Sequence, residues 1–283
     1  MDKNIVLNDR YNRLSDDLSV GTDGKVKLKH NSPYTRTQII AYDDFGEVLF
    51  ETENQVVLGG ALFTLEKVFG VQSKLKVDYL NDIMNIATGG SAVTEIYPKD
   101  NVVCLFGVGI GGCGDSFKSV EDVKFYEREI KEMVPFRVVS TPLDDPDDEK
   151  YFFRKQSNGK YEYYLKKFEN TPEIKVLWKD GEGDEDGSEV QSGVENTDRP
   201  YAIETFVEIT LKIDKTDLRE YFEAKGNIEE ARVNSIALFT GVKSNVDGYE
   251  DYKQVKMFSK LNIPNEMLNT TKSFTLIYRI YAS

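Results

Sequence analysis

Histidine and cysteine are nearly absent from this sequence, which holds one histidine, His30, and two cysteines, Cys104 and Cys113. A Ser-His-Asp or Cys-His catalytic triad would have to use His30, which lies in a polar stretch between Lys29 and Asn31. Two cysteines exclude a disulfide scaffold, and together with one histidine they are too few for a zinc site. Both thiols flank a glycine-rich turn, and we expect them to be free in a reducing cytoplasm.

Long hydrophobic runs and an excess of basic residues are missing as well. No apolar run reaches the roughly 20 residues that a membrane-spanning helix needs, and the N-terminus has no signal-peptide pattern. We therefore expect a chain that is neither membrane-inserted nor secreted by the usual route. The net charge of −13 argues against direct nucleic-acid binding, because such binding depends on clustered Lys and Arg.

The charge is uneven along the 283 residues. Residues 1–40 are mildly basic, with Lys3, Arg10, Arg13, Lys25, Lys27, Lys29 and Arg36 against Asp2, Asp9, Asp16, Asp17 and Asp23. We interpret residues 1–45 as an extended N-terminal arm and residues 46–283 as the body, which could divide near 141–150. The arm either docks on the acidic body of a neighbour or is a solvated segment without a partner.

Alternating patterns predict a strand-rich body. Apolar residues take alternate positions in Ile203–Ile213 and again in Phe274, Leu276, Tyr278 and Ile280 near the C-terminus. Asn158-Gly159 joins two β-rich runs, 151–156 and 161–168, as expected for a tight hairpin. The segments 47–50 and 55–58 are interpreted as a strand pair.

Helical spacing predicts about four short helices, over 61–70, 78–87, 119–133 and 217–233. In the first of these, Leu62, Leu65 and Phe69 share one face. Strands come in hairpin-like runs and do not alternate regularly with helices. The predicted fold class is therefore α+β, predominantly antiparallel β with an extended N-terminal arm.

A glycine-rich stretch at 107–114 is the sharpest chemical motif. Gly107-x-Gly109-x-x-Gly112 follows a predicted strand and has the spacing of a dinucleotide-binding fingerprint. Against this interpretation, no helix begins at the loop and no acidic residue ends a second strand at the usual distance. A nucleotide-binding enzyme that uses 107–114 is kept as an alternative to close backbone packing.

Other residues offer weaker candidates. The run Asp180-x-Glu182-x-Asp184 resembles the start of a calcium loop, but it lacks the glycine and the late glutamate that such a loop needs. Trp178 and the tyrosines Tyr161, Tyr163 and Tyr164 could stack on sugars, which leaves a carbohydrate- or receptor-binding module as a further alternative. We predict no catalytic, cofactor or metal site.

Three phrases near the C-terminus resemble virion structural proteins of large tailed bacteriophages. They are Val233–Gly241, Met257–Pro264 and Lys272–Tyr281, and Asn101–Gly114 and Met133–Arg137 look similar to the same proteins. Ala237 stands where the first phrase usually has glycine. The resemblance covers about half of the chain.

This resemblance implies a non-enzymatic structural protein of the virion, made in the host cytoplasm. It would assemble into a ring or other oligomer by arm and sheet-edge contacts, with other virion structural proteins as partners. The neck or tail is the favoured place, and the baseplate or capsid surface stays open.

Overall fold

The computed structural model describes residues 18–20, 26–28, 35–86, 101–113, 120–143, 149–179, 185–189, 203–226, 232–246, 248–264 and 273–282. The chain divides into two compact units, residues 1–33 and 34–283. In the first unit, β1 (Leu18–Val20) and β2 (Val26–Leu28) form an antiparallel pair. All other described elements belong to the second unit.

The second unit is built from strands with three described helices. The helices are α1 (Leu58–Phe69), α2 (Leu80–Ile83) and α3 (Arg219–Lys225). The strands are β3 (Thr35–Asp43), β4 (Val48–Thr52), β5 (Gln55–Val56), β6 (Val102–Gly109), β7 (Met133–Val134), β8 (Arg137–Val139), β9 (Tyr151–Ser157), β10 (Lys160–Lys167), β11 (Glu173–Lys179), β12 (Glu185–Glu189), β13 (Ile203–Ile213), β14 (Ser235–Val246), β15 (Tyr249–Asn262) and β16 (Phe274–Ala282).

These strands form two antiparallel sheets. The larger sheet has eight strands, with the path β5-β15-β14-β6-β10-β8, while β7 pairs with β6 and β9 with β10. The smaller sheet has six strands in the order β12-β11-β13-β16-β3-β4. The predicted strand-rich, predominantly antiparallel fold class is therefore confirmed.

The main core lies between the two sheets. Ile209 and Leu211 of β13 and Leu276 and Tyr278 of β16 pack in one cluster with Phe106 and other side chains of the larger sheet. The face predicted from alternation in β16 is the buried face, with Ile280 partly buried against the same cluster. Burial of such a shared apolar layer is the main force that holds two sheets together.

A buried ion pair also links the sheets. The Lys166 ammonium on β10 donates to Asp217 (2.7 Å) and to Asp214 (2.9 Å), both in the turn after β13. Lys166 is 2% exposed and Asp217 is fully buried, and the hydroxyl of Tyr151 donates to the second oxygen of Asp217 at 2.6 Å. Because every charged atom here has a partner, the cluster is a structural link with no group left over for chemistry.

The larger sheet is also buried on its outer face. Leu105, Phe239 and Met257 form a second cluster there with Val57, Leu80 and Ile130 from the segments that cross it. Gly59 and Gly60, which precede the helix predicted over 61–70, lie in the first turn of α1. Side chains at these two positions would collide with the backbone carbonyls of Met257 and Phe258 on β15, so the glycines let the helix lie directly against the strand.

The predicted helix over 119–133 is wrong, and the structure therefore does not confirm the count of four helices. Residues 120–132 form an irregular segment, with Glu132 at φ 55° and β7 beginning at Met133. The backbone carbonyls of Lys131 and Glu132 accept from Gly111 and Ile110, and the carbonyl of Phe125 accepts from Leu58. These tertiary bonds replace the hydrogen bonds of a helix ladder, and they outweigh local propensity.

Other expectations were met in part. The Asn158-Gly159 hairpin is confirmed, with φ of 52° and 75° at its two turn residues. The segments 47–50 and 55–58 do not pair with each other, because β4 joins β3 in the smaller sheet and β5 joins β15 in the larger one. The helices predicted over 78–87 and 217–233 contain the shorter α2 and α3.

The predicted N-terminal arm overlaps the body. Strand β3, which falls within residues 1–45, pairs with β16 on one side and β4 on the other, and the second compact unit begins at residue 34. The expected division near 141–150 stays a prediction, since residues 144–148 lie outside the described part of the chain.

Candidate assembly interface

Exposed large hydrophobic side chains are concentrated in one stretch of the chain. Of the thirteen found among the described residues, eight lie between residues 45 and 75, and we call this stretch the apolar segment: Phe45, Val48, Leu49, Leu65, Val68, Phe69, Val71 and Leu75. Single exposed apolar residues are normal on a protein surface, whereas contiguous exposed patches mark interaction sites. We therefore take the residues of the apolar segment as candidate contact residues.

Helix α1 contributes the middle of the apolar segment. The face predicted from Leu62, Leu65 and Phe69 is not its buried face, since Leu65 is 45% exposed and Phe69 is 68% exposed. Phe63 instead packs edge-on against Phe258, at 6.1 Å between ring centroids. Gly70 ends the helix at φ 64°, as predicted, and its N–H bonds the carbonyl of Glu66.

One edge of the larger sheet is closed by helices. Strand β15 pairs with β14 along its length, but on its other side β5 covers only Ser259 and Lys260. The side chain of Asn81 on α2 fills part of the remaining edge: its amide donates to the carbonyl of Tyr252 (3.3 Å) and its oxygen accepts from the N–H of Val255 (3.0 Å). Asn81 is 2% exposed, so these bonds are shielded from water.

One edge of the smaller sheet is open. Strand β4 is the last strand of the six, and on its outer side it pairs with no strand of the described chain. Before β4, the turn carries Phe45, which is 81% exposed, and the strand itself exposes Val48 and Leu49. An open edge with exposed apolar residues is a template for pairing with another strand, and soluble proteins usually block such edges.

The open edge is strongly acidic. Between residues 37 and 66 the chain has no Lys, Arg or His, and its acidic residues are Asp43, Asp44, Glu47, Glu51, Glu53 and Glu66. Asp43 accepts two backbone N–H bonds of the turn, from Phe45 and Glu47. Glu51 accepts from the amide of Gln38 at 2.5 Å, and among the described residues neither Glu47 nor Glu51 forms an ion pair. Within the described chain, this edge therefore presents negative charge that no cation pairs with.

The glycine-rich stretch serves close packing in this structure. Gly107 and Gly109 lie within β6, where added side chains would collide with Met133 and with Ile130, respectively. The outer segment 120–133 thus lies directly over the glycines that a nucleotide fingerprint would leave open. Gly112 has φ 106°, which only glycine adopts easily, and it lies against the amide of Asn262.

A groove of about 1080 Å³ lies between residues 75–78 and 121–131. Lys260 on β15 lines it and pairs with Glu127 at 2.5 Å, and a second ion pair joins Arg128 to Asp78 across the two walls. Its walls carry charges of both signs in equal number: Lys76, Lys124, Arg128, Lys131 and Lys260 with Asp78, Glu121, Asp122, Glu127 and Glu129. This balance favours no ligand of one charge.

The reactive groups that the structure describes are held in structural contacts. Burial raises the pKa of the Cys104 thiol to about 12, so the thiol stays protonated and a poor nucleophile. The thiol of Cys113 donates to the carbonyl of Ile263 at 3.2 Å.

Burial raises the pKa of Asp251, although three backbone N–H groups, among them that of Phe153 at 2.7 Å, donate to its carboxylate. This carboxylate holds Phe153 at φ 65°, a conformation that a phenylalanine rarely adopts.

Several predicted candidates fall elsewhere. His30 and Asp180–Asp184 lie outside the described residues, and β12 begins at Glu185, the residue after Asp184. Trp178 is buried on β11, and Tyr163 is buried with its hydroxyl accepting the N–H of Leu143 at 3.1 Å. The structure does not bring the tyrosines and Trp178 together into a stacking surface on one exposed face.

Sequence reasoning missed the open edge and its closed counterpart. The long acidic stretch without a basic residue was a signal for the open edge, because it runs through a strand rich in apolar residues. Nothing in the sequence marks Asn81, since an asparagine in a short helix gives no sign of the distant strand that it bonds.

In the part of the chain that the structure describes, no helix is long and apolar enough to cross a membrane, and no cluster of His, Cys, Asp and Glu could hold a metal ion. Compared with known proteins, the chain matches no protein family, no curated protein and no solved structure.

Proposed function

We propose that this protein is a non-enzymatic structural subunit of a tailed-phage virion, and that it assembles into a ring or multimer by arm and sheet-edge contacts. The neck or tail is the favoured place in the particle. Other virion structural proteins, including further copies of this chain, are its partners. The resemblance of the C-terminal phrases motivates the virion assignment, and the assembly part has independent support.

The open edge of β4 carries the proposal. Its outer backbone groups can bond a strand from another subunit, and such added strands gain affinity from main-chain hydrogen bonds. The apolar segment, which includes Val48 and Leu49 of β4, also offers exposed side chains such as Val68 and Phe69, which lose contact with water when a subunit covers them. The unpaired edge and the exposed apolar side chains both lower the solubility of a monomer, whereas in a permanent assembly both contribute to the contact between subunits.

The closed edge of β15 supports the same proposal by contrast. Two helices and the side chain of Asn81 cover the edge at β15, so this fold does protect one of its sheet edges. A fold that covers the edge at β15 and leaves the edge at β4 unpaired is consistent with an edge kept for a partner.

The oligomeric state of the full chain tests the assembly part. Light scattering after size exclusion should give a defined multimer over a hundredfold range of concentration. Val68→Asp combined with Phe69→Asp should lower the mass, whereas Ile174→Asp, at an exposed isoleucine on β11, should not. A wild-type protein that stays a monomer throughout would contradict the proposal.

The virion part needs a separate test. Mass spectrometry of purified particles of the phage that encodes this chain should detect it at a fixed ratio to the other structural proteins. Its absence from intact particles would overturn the virion assignment while leaving the assembly result in place.

A further inference from the structure

We propose that the open edge of β4 in one copy is bound by residues 24–30 of a second copy, which add to the sheet as a strand. This inference rests on the proposed assembly function and names the partner at the open edge. The occupant is a basic, strand-forming segment of the same chain.

The acceptor has three properties that select a basic strand. The outer edge of β4 is unpaired within the described chain, and Val48 and Leu49 expose apolar area. Glu47 and Glu51 add negative charge, and neither forms an ion pair with a described residue. Backbone pairing alone would accept any extended peptide. Opposite charge on the two strands adds the preference for a basic segment and disfavours acidic ones.

The donor segment has the complementary composition. Between residues 24 and 42 the chain has no acidic residue, and Lys25, Lys27 and Lys29 alternate with Val26 and Leu28. In a strand, alternate residues face opposite sides, so this sequence suits a partner that offers both acidic and apolar groups. It is the complement of an edge made of Glu47, Val48, Leu49 and Glu51.

The backbone of the donor is available for an added pairing. Residues Val26–Leu28 form β2, which pairs with β1 and with no other strand of the described chain. A two-stranded ribbon of three-residue strands is at best marginally stable by itself. Adding it to the edge of a six-stranded sheet would supply a further paired strand.

Charge reversal in both strands tests this pairing with the full-length chain. The arm variant carries Lys25→Glu, Lys27→Glu and Lys29→Glu, and the edge variant carries Glu47→Lys and Glu51→Lys. Alone, each variant places like charges at the contact and should lose the wild-type multimer. An equal mixture of the two should recover it, because the acidic arm of one meets the basic edge of the other, and the reverse contact is also complementary.

A matched control separates this contact from a general effect of charge. Glu169→Lys combined with Glu173→Lys makes the same change at two exposed positions near the start of β11, and it should leave the multimer intact. Circular dichroism melting curves of all variants should stay close to that of the wild type, since the changed side chains are exposed or belong to the arm.

The outcomes distinguish the two proposals. Recovery of the multimer only in the mixture supports the contact between copies. If the arm or edge variant assembles as well as the wild type, or if the mixture of folded variants does not recover, the pairing of 24–30 with β4 is wrong while the assembly function stands. A monomeric wild type would overturn the assembly function itself, and this inference with it.

Discussion

Two sheet edges, at β15 and at β4, differ in how they are covered. At β15, α1 lies against the strand through Gly59 and Gly60, and Asn81 bonds two backbone groups that no strand of the described chain reaches. At β4, the outer edge has no such cover in the described chain, and the residues around it are acidic and apolar. The fold therefore contains a means of closing an edge that it does not use at β4. This difference makes the open edge informative about function.

Both edges belong to sheets that the buried ion pair of Lys166 and Asp217 links. We therefore expect the largest loss of stability when this ion pair is broken. Lys166→Met would leave Asp217 buried without its cation, and we expect the free energy of unfolding to fall by about 3–5 kcal/mol. Urea denaturation measures this change. Lys160→Met, at an exposed position of the same strand, is the control and should shift the free energy by less than about 0.5 kcal/mol.

Opening the closed edge should have the next largest effect. Asn81→Leu removes both side-chain bonds and leaves the carbonyl of Tyr252 and the N–H of Val255 unpaired and buried, at a cost of about 1–3 kcal/mol for each group. Unfolding of this variant should shift to lower urea, and light scattering should show increased aggregation. Asp82→Ala, at an exposed position of the same helix, should do neither. A stable, unaggregated Asn81→Leu protein would mean that helix packing alone closes this edge.

A lysine on the open edge should affect association and spare stability. Leu49→Lys places a charge that natural edge strands use against pairing, on a side chain that is already exposed. We expect the free energy of unfolding to change by no more than about 0.5 kcal/mol, while the multimer dissociates at lower dilution than the wild type. Ile174→Lys, on the same sheet but outside the apolar segment, should leave the multimer unchanged. If both variants associate equally well, the open edge of β4 has no role in association.

The smallest expected effect is on the pH dependence of stability, and it concerns the ion pair between the sheets instead of either edge. Burial alone would raise the pKa of Asp214, but the hydrogen bond and charge of Lys166 lower it below the ordinary value. The unfolded carboxyl titrates near pH 3.9, so the contribution of Asp214 to stability is complete above that pH. It is lost as the pH falls through the lower folded-state pKa. Urea midpoints in acid should thus depend less steeply on pH in Asp214→Asn than in the wild type.

Alternation along a strand predicted what faces the core, but not which strands are neighbours. In β13 and β16 the pattern correctly placed Ile209, Leu211, Leu276 and Tyr278 in the core, because a period of two fixes the faces of any strand. It missed Phe206 and Tyr281, which are buried together on the opposite face. The partner of β4 could not be predicted, since adjacency in sequence suggested β5 while the actual neighbour and sheet depend on β16. Pairing is decided by contacts that are distant in sequence, which one local window does not contain.

Helical periodicity had a different limit. It grouped Leu62, Leu65 and Phe69 on one side of α1 correctly, but periodicity does not say whether that side meets the core or solvent. Over 119–133 it failed, because the carbonyls of Lys131 and Glu132 bond the glycine-rich turn instead of a helix. The apolar and acidic residues of the candidate interface are thus visible in the sequence, but only the fold shows that they are exposed.

The position of β16 bears on how the smaller sheet can form. This strand lies between β13 and β3, and it brings the Tyr281 hydroxyl to the Gln38 side chain, 243 positions away. Closing so long a loop makes the pairing slow relative to the local hairpins. Until it occurs, β3 and β4 are a two-stranded ribbon with a second open edge, and the newly made chain is most prone to wrong pairing in that interval.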